Sequence, residues 1–342
     1  MENRTVTMRE IAKAAGVSPS TVFRVLNSDV PVSANTRAKV IAAQQILQSR
    51  KAGSDSNSES TCTVGIIIPS CSASDLNAHP SLLTIITSFV EALSAHGASN
   101  TTIVYDEHTM SPDNLLSSPK DGYLIIGTNE NQERTIVPVL SRAGIPCVMI
   151  NRNASEPRVG SIHFDDTNAT IEATEYLISL GHRNIAFIGG DKNFQNTKHR
   201  LLGYRAALER NRIPVRDCNI LFGDYSEHAG YQCGSKLLSL EERPTAGFFA
   251  SDPLAIGCMR YLKESGLKLP EDFAVIGFGD ISACQHITPT LSTISQPSRE
   301  AGVVAAGALI QMIENPLIFS QKTQLKTNLV IRESSGTGLR KP

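Results

Sequence analysis

Ser20, Phe23, Arg24 and Asn27 recur at i, i+3, i+4 and i+7, which puts them on one stripe of a helix whose other side carries Val22, Val25 and Leu26. An arginine on such a stripe offers a planar fork of donors that matches the acceptors on the major-groove edge of guanine. The short polar side chains of Ser18, Thr21 and Asn27 suit phosphate oxygens. This is chemistry for reading DNA, and it needs elements that hold the stripe outward. Thr7-Met8-Arg9-Glu10 has the spacing of a capping box and predicts a helix start, with Ile11, Ala12 and Ala15 on the apolar side. Gly16 supplies the left-handed residue that ends it, and Ser18-Pro19 starts a second helix at once. Two helices joined by so short a glycine-containing turn read as a helix-turn-helix. A third helix is expected from Ser33, with Thr36, Val40, Ala43 and Leu47 at helical spacing and Arg37 and Lys39 on its flanks. A small helical protein-interaction domain is the alternative.

Charge separates this head from the remainder of the 342 residues. Residues 1–53 hold eight Lys/Arg and three Asp/Glu, a balance of +5, which leaves −6 elsewhere within a net charge of −1. A basic head on an acidic body points to a polyanion as the head's partner. The body offers no complete catalytic or cofactor motif. Gly189-Gly190 and Gly277-Phe278-Gly279 are glycine turns at strand ends that fit neither a dinucleotide fingerprint nor a P-loop. No histidine pair has HExxH spacing, no serine lies in a GxSxG elbow, and His182 reads as a turn or surface residue. The seven cysteines show no metal spacing, and their odd number argues against a disulfide framework. No metal or cofactor is therefore expected. With no apolar run near the ~20 residues of a spanning helix and no signal-like start, the chain is expected in the cytoplasm, away from membranes.

Residues 49–61 are small and polar and read as a flexible linker. Beyond them, apolar strands are expected at 64–68, 122–126, 145–150, 184–188, 246–249 and 273–277. They are interleaved with helices at 81–96, 132–143, 167–180, 197–211, 226–238 and 252–265. Such alternation predicts doubly wound parallel sheets, and about 280 residues favour two α/β subdomains over one. Ligands of open α/β sheets sit beyond the carboxyl ends of the strands, so two such subdomains would face each other across a binding cleft.

The stretch VTMREIAKAAGVSPSTVFRVLNSDVPVSANTRAKV resembles the DNA-binding head of the lactose/galactose-repressor family. HFDDTNATIEATEYLISLGHRNIAFIGG, RLLGYRAAL, PTAGFFASDPLAIG, VIGFGDI and PTLSTISQP extend the resemblance to the family's core, which is similar to periplasmic sugar-binding proteins. It implies a transcriptional repressor that binds double-stranded operator DNA as a homodimer under the control of a small effector, a carbohydrate or related metabolite. Pro19, Ser20 and Arg24 would read bases, and Thr7, Ser18, Thr21, Asn27, Ser33 and Thr36 would lie near the backbone. Phe23 replaces the family's usual serine. In the core, the resemblance implies effector contacts from Asn151, Phe164, Asn196, Arg200, Tyr225, Ser251, Asp280 and Gln296. Arg200 paired with a local acid, Tyr225 in the core and Asn196 as a helix cap remain the alternatives.

Three departures stand out. The family's Tyr-x-Pro-Asn segment and its hinge helix, whose leucine wedges into the minor groove, are missing from 49–61, where Ser49 and Ser58 take the Tyr and Leu positions. The family's VIGxDD pattern reads Val275-Ile276-Gly277-Phe278-Gly279-Asp280, so Gly279 replaces a carboxylate that grips effector hydroxyls. Ser251 stands where asparagine is frequent. An effector-independent regulator with a degenerate pocket is the alternative these departures leave open. Glu107–Lys120 is also shorter than its family equivalent, which implies a trimmed helix. The expected division is a head at 1–48, the linker at 49–61 and a core at 62–338. Within the core, one subdomain comprises about 62–163 with 295–325, and the other about 164–294 with 326–338. The tail after Ile331 lacks apolar heptads, which favours a dimer over a tetramer.

Overall fold

A computed structural model of the chain describes residues 8–27, 36, 39–40, 43, 62–69, 80–152, 156, 158–315, 317–318 and 320–336. Thr7, Ser33, Leu47 and the linker at 49–61 lie outside the described residues. Both head helices form, α1 (Met8–Ala15) and α2 (Pro19–Asn27). Gly16 between them takes φ +64°, a conformation a Cβ would strain, and the Val17 amide donates back to the Ala12 carbonyl at 3.1 Å. Ser18 Oγ accepts the Thr21 amide at 3.2 Å and opens α2. Ile11, Ala12, Ala15, Val22 and Val25 bury together with Val40 and Ala43, which belong to helical residues of the expected third helix.

The body contains two six-stranded sheets. The first comprises β1 (Thr63–Pro69), β2 (Ser99–Tyr105), β3 (Gly122–Ile125), β4 (Cys147–Ile150), β5 (Val159–Phe164) and β11 (Lys322–Leu325), in the order β11-β5-β4-β3-β1-β2. All its pairs are parallel. The second comprises β6 (Ile185–Gly189), β7 (Ile220–Phe222), β8 (Ala246–Phe249), β9 (Ala274–Gly279), β10 (Ser292–Ser295) and β12 (Asn328–Val330), in the order β12-β10-β9-β8-β6-β7. It is parallel except for β12, an antiparallel edge on β10.

Strands buried on both faces need continuous apolar runs, and Val64–Ile68 illustrates why. Ile66 and Ile68 face α3 (Pro80–Ala95) and α9 (Ser298–Glu314), whereas Ile67 points through the sheet to Ile136, Val137 and Leu140 of α4 (Glu130–Arg142). The second sheet is clothed by α5 (Asp166–Ser179), α6 (Gln195–Arg210), α7 (Glu227–Leu238) and α8 (Asp252–Glu264). The six expected body helices fall within a few residues of their sequence positions. Between β2 and β3 there is only a short 3-10 helix, Pro112–Leu116, consistent with the shortened segment.

Sequence periodicity did not indicate β2, β5, β7, β10, β11, β12 or α9. The β2 sequence, SNTTIVY, is polar because it is an edge strand, and α9 is rich in alanine and glycine, with no contrasting stripe. The chain passes between the sheets three times, at 164–166, 295–298 and 325–328. In each sheet the order reverses once, between β1 and β3 and between β6 and β8, which makes those carboxyl ends the switch points where ligands gather.

Candidate functional site

The carboxyl ends of the two sheets meet around a cavity of about 130 Å³. From the first sheet come Ile126, Gly127 and Thr128 after β3, Asn151 and Arg152 after β4, and Phe164 at the end of β5. From the second come Phe194, Asn196 and Arg200 beyond β6, Tyr225 beyond β7, Ser251 after β8, Phe278 and Ile281 around the end of β9, and Gln296 after β10. The start of α3 closes the cavity with Pro80, Ser81, Leu82 and Ile85.

Seven of the eight residues expected to contact an effector line this space: Asn151, Phe164, Asn196, Arg200, Tyr225, Ser251 and Gln296. Asp280 does not, a correction to the sequence expectation. Its carboxylate accepts from Arg332 Nη2 at 2.7 Å, and the residue lines an adjoining outer groove that shares Pro80, Ser81, Ile281 and Gln296 with the cavity. The adjacent Gly279, at φ +133°, puts no side chain at the family's carboxylate position, and a Cβ there would stand 3.1 Å from Asp252 Oδ2. Asp252 does not replace that function: it is buried and turned inward, accepting from Thr293 Oγ1 at 2.6 Å and from the Ile281 amide at 3.0 Å. Burial pushes its carboxyl above the ordinary range.

Arg200 is 4% exposed and held on three sides. Nη1 donates to the Ala250 carbonyl, Nη2 reaches Asp166 at 3.3 Å, and the guanidinium lies 3.6 Å over the Phe278 ring. The local-acid alternative for Arg200 is thus a structural fact, and so is its place in the cavity wall. Burial raises the Asp166 carboxyl, and the charge of Arg200 opposes that rise. Tyr225 is also both core and wall. Its hydroxyl joins Thr197 Oγ1 and donates to Asn196 Oδ1 at 3.0 Å, and its ring meets Phe194 edge-on at 6.2 Å. Asn196 Oδ1 also accepts the Thr197 amide at 2.9 Å, but Asn196 is not the helix cap: α6 starts at Gln195 and its N-cap is Phe194. Ser251 caps α8, accepting from the Leu254 amide at 3.4 Å.

Arg152 escaped sequence reasoning, as did Phe194 and Thr128. It is buried, its Nε lies 2.6 Å from Glu133 Oε1, and its Nη2 donates to the Thr128 carbonyl at 2.5 Å. Burial lowers its guanidinium pKa and raises that of Glu133. An available signal was its position, immediately past the carboxyl end of an apolar strand.

Two features mark this wall as more than packing. Asn151 and Tyr225 take φ values of +61° and +70°; for a bulky aromatic this is an outlier of the kind that costs about 1–3 kcal/mol and clusters at ligand sites. In addition, Asn151 Oδ1, Arg152 Nη1, Arg200 Nε and Gln296 Nε2 are buried without a hydrogen-bond partner among the described residues. Each such orphan costs about 1–3 kcal/mol unless something that enters the cavity satisfies it. Among the described residues no group of His, Cys, Asp and Glu could hold a metal ion, and no helix is long and apolar enough to cross a membrane.

In the head, Pro19, Ser20, Phe23 and Arg24 are exposed on α2, and Thr21 and Thr36 are half-buried. Asn27 is the last residue of α2. Ser18 Oγ lies 2.7 Å from Ser20 Oγ and 2.9 Å from Thr21 Oγ1, so three hydroxyls cluster at the amino end of the helix. Phe23 is 51% exposed and does not pack into the head's core, which leaves its ring free for a groove.

Comparison with known proteins agrees with both halves. Residues 7–48 match the profile of bacterial regulatory proteins of the lacI family, and residues 174–335 match that of the periplasmic binding protein-like domain. The chain is 30% identical over 331 residues to the probable HTH-type transcriptional repressor ExuR of Bacillus subtilis, covering 96% of this chain and 98% of that protein. It is similar in structure to the transcriptional regulator CelR in complex with cellobiose, with TM-score 0.74 and 29% identity over 96% of this chain and 99% of the other. It is also similar to the lac repressor dimer bound to operator and the anti-inducer ONPF, with TM-score 0.71 and 28% identity over 98% of this chain and 100% of the other.

Proposed function

The chain belongs to the lacI family of bacterial regulatory proteins, as a DNA-binding transcription regulator rather than an enzyme, and from that premise we propose how it works. It represses transcription by placing the Ser20–Phe23–Arg24 stripe of α2 in the major groove of a double-stranded operator, and a carbohydrate or related metabolite in the cleft alters that grip. We assign the head to residues 1–48, the linker to 49–61 and the effector core to 62–338. One recognition helix spans too few base pairs for useful specificity, so the acting unit is a homodimer on paired half-sites. The repressor dimer on operator and the cellobiose-bound regulator support this reading by likeness.

The observation that carries the effector is the set of four orphaned polar atoms around the cavity. A degenerate pocket relieved of its ligand would be free to replace them with apolar groups, and this one keeps them beside two left-handed residues. A periplasmic transport receptor would share the core but have no use for the head. The test is a gel shift on promoter fragments, with and without a panel of metabolites, alongside sedimentation. We expect sequence-selective binding by a dimer that at least one metabolite modulates. Binding with no preference over random DNA, or a concentration-independent monomer, would overturn it.

A further inference from the structure

We infer that the cavity selects a small organic acid over a neutral sugar, its carboxylate accepting hydrogen bonds from Arg152 and Arg200. This rests on the cleft being the effector site and concerns what that site prefers.

Unused donors outweigh unused acceptors in the cavity wall. Every hydroxyl of a neutral sugar brings a donor, so a site for one needs strong acceptors. Among the described residues lining the cavity none is aspartate or glutamate. Gly279 leaves that position without a side chain, Asp252 is committed to Thr293 and the Ile281 amide, and Asp280 is committed to Arg332. Asn196 Oδ1 is occupied by Tyr225 and Thr197. Three donors are orphaned, Arg152 Nη1, Arg200 Nε and Gln296 Nε2, against one acceptor, Asn151 Oδ1, and neither guanidinium can become an acceptor. A carboxylate accepts and never donates, so it matches this imbalance, and two N–H groups suit its two oxygens.

The placement of the charges points the same way. Glu133 and Asp166 hold the two guanidinium groups, but neither acid lines the cavity, so each pair presents its cationic member to the ligand. Arg152, Arg200 and Tyr225 all line the same cavity. Phe164, Phe194 and Phe278 supply apolar wall for the carbon skeleton, and about 130 Å³ limits the ligand to a small molecule.

The test compares matched compounds on the full-length wild-type chain. D-Gluconate and D-glucuronate are set against D-glucose and D-glucose 6-phosphate at equal concentration, by thermal unfolding and calorimetry. At least one acid should raise the unfolding midpoint and bind about tenfold or more tightly than D-glucose, as expected for charge-assisted hydrogen bonds. Arg152→Met should erase that preference, and Arg152→Lys, which keeps the charge but loses the fork, should restore part of it. The wild-type comparison decides the matter even if neither variant folds. D-Glucose binding as well as its acids, the phosphate ester binding more tightly than both, or no acid binding would each overturn the inference. If an acid binds but operator affinity responds to no compound, the regulatory reading fails and the carboxylate preference stands.

Discussion

Replacing Arg200 with alanine tests whether the cleft wall is a charged lattice or simple packing. The side chain is 4% exposed, and its loss removes the donor to the Ala250 carbonyl, the stacking over Phe278 and the cation facing Asp166. Breaking a buried pair by deleting one partner costs about 3–5 kcal/mol, because the remaining charge is left uncompensated. Asp166 is 3% exposed, and its carboxyl is already raised by burial despite the opposing pull of Arg200. Without the arginine that pKa rises further. A carboxyl whose folded pKa lies above its unfolded one binds the proton more tightly when folded. Its stability contribution is therefore present at low pH and lost as pH climbs through the folded value, at about 1.4 kcal/mol for each tenfold difference in proton affinity. Arg200→Ala should accordingly lose more stability at about pH 8 than at about pH 5. Urea unfolding at both pH values, with Asp166→Asn alone and combined with Arg200→Ala, is the assay. The double variant should be more stable than Arg200→Ala at the higher pH, with a coupling of about 1–3 kcal/mol. A pH-independent deficit, or strict additivity of the two changes, would refute the reasoning. Operator binding by folded Arg200→Ala should persist while its response to ligand disappears.

Three other outcomes are expected. Arg24→Ala should weaken operator binding by about 1–3 kcal/mol and relax the preference at one base pair, checked by anisotropy titrations against single-substituted operators. Gly279→Asp, which would restore the family's carboxylate, should destabilise the core by about 1–3 kcal/mol, because φ there is +133° and the new Cβ would stand 3.1 Å from Asp252 Oδ2; a thermal midpoint equal to the wild type would contradict this. The protein should bend its operator less than hinge-helix repressors do, because Ser49 to Thr61 contains no apolar wedge to offset the few kcal/mol of unstacking a base step, and Ser58→Ala should change little. Circular-permutation gel shifts measure that bend, and a sharp one abolished by changes in 49–61 would show that the linker folds on DNA.

Local chemistry was sufficient to define the head and the rhythm of the body. Gly16, Ser18 and Pro19 each carry a conformational preference that acts within a turn, so the α1–α2 geometry was legible in the sequence. Strands buried on both faces are recorded as apolar runs, and the helices between them follow from periodicity alone. Edge strands such as β2 and β12 leave weaker traces because one side meets solvent, and α9, though it follows a strand of the second sheet, packs on the first. Seven of the twenty residues lining the cavity were identified by resemblance, yet the resemblance also placed Asp280 among them and omitted Arg152. Both outcomes depend on partners distant in the chain: Arg332 draws Asp280 away, 52 residues along, and Glu133 holds Arg152 in place. Sequence fixes which groups a chain owns and how each segment prefers to curl. Which donors are left without acceptors depends on how the two sheets' carboxyl ends face each other, because hydrogen-bond satisfaction is a property of the assembled wall and of no single segment.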